Sequence, residues 1–302
     1  MPTVGDAVTR TKRLLNSNTR TELDAIHTEL AADDTTIRLK YQTDGIRAGS
    51  YISVSNGTTA YETMYVHARN GEYATVQRGI DGSSGFAWPV ASVIEVEPRF
   101  TGHQIHEAIK DAILALPDNL YAVDTTAVSF STTQQSVTTT FTNGFNQILS
   151  ATRTARAGED RLLAFNVKVQ EYDGAYEVIR QEGIEKAITA QVTYAHPFVT
   201  ATLTLGIDLV DTVGMTVEMT DIPALGAAAS LLLGEESLRL DLHSQGDSRA
   251  DAAVLAGDRA RYSLVLQAQY DRRVSQEARR LMAKWGIRTG AVTSSVFPTT
   301  VR

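Results

Sequence analysis

The run Tyr61-Glu-Thr-Met-Tyr-Val-His-Ala-Arg-Asn-Gly-Glu-Tyr-Ala-Thr-Val-Gln-Arg-Gly-Ile-Asp-Gly82 decides the reading of the fold. Met64-Tyr-Val66 and Tyr73-Ala-Thr-Val76 are short alternating runs on either side of Asn70-Gly71, and Asp81-Gly82 follows them. Asn-Gly and Asp-Gly supply the positive φ angles of tight hairpins, so the run predicts antiparallel strands. Working outward, Thr36-Ile-Arg-Leu39, Tyr51-Ile-Ser-Val54 and Val93-Ile-Glu-Val96 carry the same alternation, with a turn at Asn56-Gly57. Five such strands in about 60 residues predict a small barrel-like module over 35–100.

Beyond that module the period changes. Val4, Ala7, Val8, Leu14 and Leu15, then Leu23, Ile26 and Leu30, fall at helical spacing and predict N-terminal helices within 1–34, with Thr3 and Thr19 as N-caps. A helix is predicted over 101–122, from the stripe Ile105, Ile109, Ile113 and Leu116, a Thr101/Gln104 capping box and a stop at Pro117. The segment 123–222 is threonine-rich and alternates with period two through Ser136–Thr142, Leu163–Val169, Ala190–Tyr194, Thr200–Leu205 and Met215–Met219, which predicts an antiparallel β-sandwich. A C-terminal helical pair is predicted over 223–286, and 287–302 reads as a flexible tail. The fold class expected from this order is α+β and multidomain. The N-terminal, central and C-terminal helices make a helical bundle, into which a small β-barrel and an antiparallel β-sandwich are inserted.

Composition narrows the function. The 302 residues include no cysteine, which excludes disulfides, thiolate catalysis, zinc fingers and iron–sulfur clusters. No apolar run approaches the roughly 20 residues of a membrane span. Met1 to Asp6 has no basic region leading into an apolar stretch, so no secretory signal is expected. The net charge of −7 argues against general nucleic-acid binding, although 224–302 carries 11 basic groups against 8 acidic ones.

Catalytic and metal-binding patterns are weak. His103-Gln-Ile-His106 puts two imidazoles at i, i+3 but lacks a Glu-x-x-His partner, and reads as polar helix surface. The glycine-rich Gly79–Gly85 run is followed by another strand rather than a helix, so it reads as a hairpin and not a phosphate loop. Glu95 and Glu97 share a strand face, where alternating acids are ordinary solvated residues rather than a glycosidase pair. No catalytic, metal or cofactor residue is assigned, and no enzymatic activity is expected.

The long helix near the C-terminus stands out. Tyr262, Leu266, Tyr270, Val274, Ala278, Leu281 and Trp285 make its apolar stripe. From 259 to 288 it carries eight basic groups against Asp271 and Glu277. This pattern suits a docking helix whose arginines meet carboxylates or phosphates. The candidate assembly interface is Arg259, Arg261, Tyr270, Arg272, Arg273, Arg279, Arg280 and Trp285.

The segment from Thr3 to Tyr121 resembles structural proteins of tailed bacteriophages, of the kind encoded near the head–tail joining genes. The resemblance rests on Val4–Leu15 leading into Asp33–Leu39, on Glu62–Val66 with Thr75–Ser83, and on Val96–Phe100 leading into Ala108–Ile113. Ala227–Leu232 and Tyr270–Arg280 look similar too, whereas the sandwich lies outside the likeness. Phe86-Ala-Trp-Pro89 stands where such proteins usually have Ala and His residues. The resemblance implies a head–tail connector or adaptor at the virion neck, made in the bacterial cytoplasm. It would form a homo-oligomeric, twelve-fold ring, contact the portal protein and the next neck or tail protein, and meet packaged DNA only by lining the channel, with no membrane partner and no cofactor. The competing readings are a tail-tube, distal-tail or baseplate component and, from another class, a glycan-binding virion module using the sandwich.

Overall fold

Strand pairing between residues far apart in sequence dominates this chain. The computed structural model describes residues 2–15, 22–56, 60–154, 162–172, 175–181, 187–199, 203–244 and 258–285. The chain divides into two compact units, one made of Met1–Val123 with His196–Ser275, the other of Asp124–Ala195 with the residues from Gln276 on.

The first unit begins with helix α1 (Val4–Leu15). Thr3 caps it as the sequence predicts: the Asp6 N–H donates to Thr3 Oγ1 at 3.2 Å, and the Thr3 N–H donates to Asp6 Oδ2 at 2.8 Å. The next helical N–H groups, of Val4 and Gly5, donate to the carbonyls of Ile207 and Leu205. These donors would otherwise be orphans of the helix start. Strands β1 (Glu22–Ala25), β2 (Thr36–Arg38), β3 (Tyr51–Ser55), β4 (Tyr61–Asn70), β5 (Tyr73–Ile80) and β6 (Val93–Val96) form one antiparallel sheet in the order β1-β6-β3-β4-β5-β2. The β4–β5 hairpin turns through Gly71 and Glu72, one residue later than the Asn70-Gly71 signal implies, since Asn70 still pairs with Tyr73; Gly71 takes φ +60°. The sheet curls until its two edge strands meet just past β1, where Ile26 bridges Leu39, the His27 N–H donates to the Arg38 carbonyl and the Lys40 N–H to that of Ala25. Inside the curl lie Ile26, Leu30, Ile37, Leu39, Ile52, Val54, Met64, Val66, Trp88 and Ile94, all essentially buried.

Helix α2 (Gly102–Leu114) opens with the predicted capping box of Thr101 and Gln104. Helix α3 (Ile222–Ser244) packs on α1 and α2, and α2 also touches β4. Its alanines 224, 227, 228 and 229 are buried and permit that close approach. Val217–Glu235 is long and apolar enough to cross a membrane by length and composition, contrary to the sequence reading. Half of that window is buried inside the protein, as befits a core helix. Helix α4 runs over Asp258–Trp285, its residues up to Ser275 belonging to this unit and those from Gln276 on to the other.

In the second unit β7 (Ala122–Phe130), β9 (Gln147–Thr154), β10 (Leu162–Ala164) and β13 (Ile188–His196) form a four-stranded sheet in the order β10-β9-β13-β7. Strands β8 (Ser136–Thr139), β11 (Val167–Tyr172) and β12 (Ala175–Arg180) form a three-stranded one. Both sheets give side chains to one core, Val128, Phe130, Ala151, Val192 and Tyr194 from the first and Val178 from the second.

These observations correct the expected fold class. Among the described residues the protein is mainly β, with thirteen strands in three sheets and four helices. It is not a helical bundle carrying an inserted barrel and an inserted sandwich. Among its described residues, the region expected to hold N-terminal helices is helical at Val4–Leu15 alone, and Glu22–Ala25 is an edge strand. The Leu23, Ile26, Leu30 spacing mimicked a helix, but pairing with Val93–Val96, some seventy residues away, overrode it. Met215–Met219 is not a strand, since Val217–Met219 form a 3-10 turn leading into α3. The Gly79–Gly85 run is not a hairpin either, because β5 and β6 are not neighbours in the sheet. Thr19, residues 200–202 and the 287–302 tail lie outside the described residues.

Two buried carboxylates hold the curled sheet. Glu62 on β4 is fully buried. It accepts from Arg78 Nε at 2.5 Å and Nη2 at 2.7 Å, from Trp88 Nε1 at 2.7 Å, and from the N–H groups of Gly79 and Phe86. Arg78 also donates to the carbonyls of Ala31, Asp34 and Phe86. One ion pair thus ties the loop after β5 to the loop before β2.

Asp24 on β1 is the second carboxylate, 2% exposed. Burial works against its charge, but the N–H groups of Tyr41, Thr43 and Ala25 outweigh it and hold its pKa below the ordinary 3.8. A depressed folded pKa contributes stability that is complete above about pH 4 and is lost as the pH falls through the folded value. Unfolding free energy measured from about pH 5 to about pH 2 is therefore expected to fall more steeply in the wild type than in Asp24→Asn. Parallel curves would refute this.

Candidate assembly surface

An α-helix turns about 100° per residue, so residues at i, i+3, i+4 and i+7 share a face. On α4 this rule puts Ser263, Leu266, Tyr270, Val274, Glu277, Ala278 and Leu281 on one side. Of these, Ser263, Leu266, Glu277, Ala278 and Leu281 are buried and Tyr270 and Val274 are half-buried. Ser263 anchors the helix by donating its hydroxyl to the Ala229 carbonyl at 2.8 Å, and the Tyr262 hydroxyl reaches the Leu14 carbonyl at 3.3 Å.

The eight sequence-predicted residues separate into two groups. Tyr270 faces inward, its ring so close to Gly226 that a Cβ there would meet a ring carbon at 3.1 Å. Burial first, then the charge of Asp271, pushes its phenol pKa up. Arg273 is an internal clamp: its Nε lies 3.0 Å from Asp221 Oδ2, its Nη2 lies 3.1 Å from Asp221 Oδ1, and Nη2 also donates to the Glu218 carbonyl. Arg280 bonds Glu277 one turn back at 3.1 Å. Trp285 is half-buried beneath the Lys284 ammonium, 5.2 Å from the ring centre. Arg261, Arg272 and Arg279 are exposed. Arg259 lies in the first turn, and its side chain is outside the described residues.

Arg261, Arg272 and Arg279 fall with Leu264, Val265, Ala268 and Met282 inside one arc of about 100° on the side opposite the buried stripe, whereas Arg280, also exposed, lies outside it. Leu264 is 68% exposed, Val265 51% and Met282 43%. Sequence reasoning missed these apolar members. They were legible as large apolar residues left off the Tyr262–Trp285 stripe. Arginine beside exposed apolar side chains is the composition of protein interfaces.

The residues considered for chemistry are dispersed among structural roles. Glu95 is ion-paired to Lys12 at 2.9 Å, while Glu97 accepts from the Tyr51 N–H at 3.1 Å. Among the described residues no group of three or more His, Asp or Glu is placed to hold a metal ion. His103 and His106 do converge, each with Nδ1 3.2 Å from the Tyr61 hydroxyl. His106 is buried and has its pKa lowered, chiefly by that burial. Burial, then Glu107 and Asp81, raise the pKa of Tyr61. No protein-family model matches the chain, and no curated protein matches it.

Proposed function

We propose that this chain is a non-enzymatic structural protein of a tailed-bacteriophage virion, a connector or adaptor at the neck between portal and tail. One observation carries the reading. The stretches that resemble phage head–tail joining proteins gather in a single unit: Val4–Leu15, Asp33–Leu39, Glu62–Val66, Thr75–Ser83, Val96–Phe100, Ala108–Ile113, Ala227–Leu232 and the start of Tyr270–Arg280. Residues more than a hundred positions apart meet there, with Tyr270 and Ala112 both against Gly226. The sandwich, outside the likeness, belongs to the other unit.

The outward stripe of α4 is the surface through which the protein would join its neighbours. Arg272→Ser with Arg279→Ser is expected to leave stability within about 0.5 kcal/mol of wild type and to block incorporation into particles. Arg273→Ser is expected instead to cost roughly 1–3 kcal/mol, since it breaks charge-assisted bonds to Asp221. Denaturant unfolding and immunoblots of purified virions read the two effects. Normal tailed particles built with the double variant would refute the assembly role. Absence of the wild-type protein from purified virions of its phage would refute the neck assignment itself.

A further inference from the structure

We propose that Tyr61, His103 and His106 form a binding site for a divalent first-row transition ion of the zinc or copper type. The inference is independent of the virion reading and begins with the placement of the three residues. Tyr61 opens β4, and His103 and His106 lie one turn apart on α2, which packs against that strand. Both imidazoles turn the same nitrogen, Nδ1, to one phenol oxygen at 3.2 Å.

Each ring is oriented by its other side. His106 Nε2 lies 2.7 Å from the Leu203 carbonyl oxygen. A carbonyl only accepts, so the proton sits on Nε2 and Nδ1 is left with a free lone pair. An imidazole whose second nitrogen donates to a backbone carbonyl is the usual arrangement of a metal-bound histidine. The His103 ring is seated on Gly82, whose φ is +73° and where a Cβ would lie 2.5 Å from Nε2. The Asp81-Gly82 turn therefore fixes the ring with its Nδ1 toward Tyr61.

The spacing suits an ion. Ligand atoms at about 2.0–2.1 Å from a tetrahedral centre are about 3.3 Å apart, close to both nitrogen–oxygen separations of 3.2 Å. Imidazole nitrogen selects zinc, copper or nickel over calcium or magnesium. Local charge favours a cation as well. Glu107 and Asp81 both act on the Tyr61 hydroxyl as negative neighbours, and Glu107 Oε1 stands 4.0 Å from His106 Nδ1. Lys110, 2.8 Å from Glu107, is the positive group nearby. With three protein donors, water takes the fourth position. On binding, the phenol O–H breaks, the oxygen–metal bond forms and that proton passes to solvent; the Nδ1 proton with which His103 now donates to the phenol oxygen moves through solvent to its Nε2, so both imidazoles bind as neutral ligands and no oxidant or reductant is involved.

The test uses the full untagged chain, freed of metal with chelator and titrated with zinc chloride and with copper sulfate. Calorimetry and thermal unfolding read binding, and absorption reads the phenolate-to-copper charge-transfer band. The expected result is saturable binding of one equivalent, a raised Tm, and the band. His103→Asn removes a partly exposed ligand and is expected to weaken binding by at least about tenfold, as outer-shell changes alone already do. Tyr61→Phe keeps the ring that packs on Gly102 and is expected to abolish the band. Absence of saturable binding overturns the proposal. Binding that survives His103→Asn unchanged, or a band that survives Tyr61→Phe, overturns it equally.

Discussion

Replacing Glu62 with alanine is expected to destabilise the first unit by about 3–5 kcal/mol, the cost of stranding one partner of a buried ion pair. Arg78 would be left with its Nε and Nη2 facing an apolar interior, and its side chain is only 8% exposed. Trp88 Nε1 and the Gly79 and Phe86 N–H groups would lose their acceptor at the same time. Trp88 is 1% exposed and contacts Glu62 directly, so its fluorescence reports the change in a Trp285→Phe background. Glu62→Gln keeps an acceptor oxygen and the side-chain shape, and is expected to fall between wild type and Glu62→Ala. A loss below about 1 kcal/mol for the alanine variant would mean that water or another carboxylate replaces Glu62, contrary to its burial.

The second large effect is expected at Phe141 in the sandwich. Its ring centre lies 4.8 Å from that of Phe145, 5.2 Å from Tyr176 and 4.4 Å from Tyr194, so one side chain joins residues of both sheets. Phe141→Ala removes all three contacts and opens a cavity, at an expected cost of about 3–5 kcal/mol. Hydrogen exchange of β9, β12 and β13 is expected to accelerate in step. Leucine at the same position refills part of the volume and is expected to recover part of the loss. Unchanged protection in those strands would show that the aromatic cluster is not the sandwich's anchor.

The candidate site was legible only in part. The sequence drew attention to α4 by its arginine count, and the helix is there. Yet arginine count alone does not separate an outward Arg272 from an inward Arg273. The two are neighbours in sequence, and a single 100° step puts one in solvent and the other against Asp221. The acidic partner sits 52 positions away, where no local pattern points to it. The pair His103 and His106 was likewise visible as a spacing. Its third member, Tyr61, comes from a strand 42 residues earlier and is joined to the helix by sheet curvature and the Asp81-Gly82 turn.

The sequence by itself determined what depends on neighbours in the chain. The Thr101/Gln104 capping box, the antiparallel pair on either side of Gly71, the strands at Ser136–Thr139 and Ile188–His196 and the buried face of α4 all follow from torsional preference and from periods of 2 and 3.6, whereas Leu163–Val169, read as one run, is divided between β10 and β11 of different sheets. Tertiary structure alone decided the architecture. It made Glu22–Ala25 a strand, closed the sheet edges at Ile26 and Leu39, and turned Glu62 from an alternating strand residue into a fully buried hub. The physical reason is that strand register and ion pairing are settled by partners distant in sequence. An edge strand gains its hydrogen bonds and its buried face only when the other strand arrives, whatever its own spacing suggests.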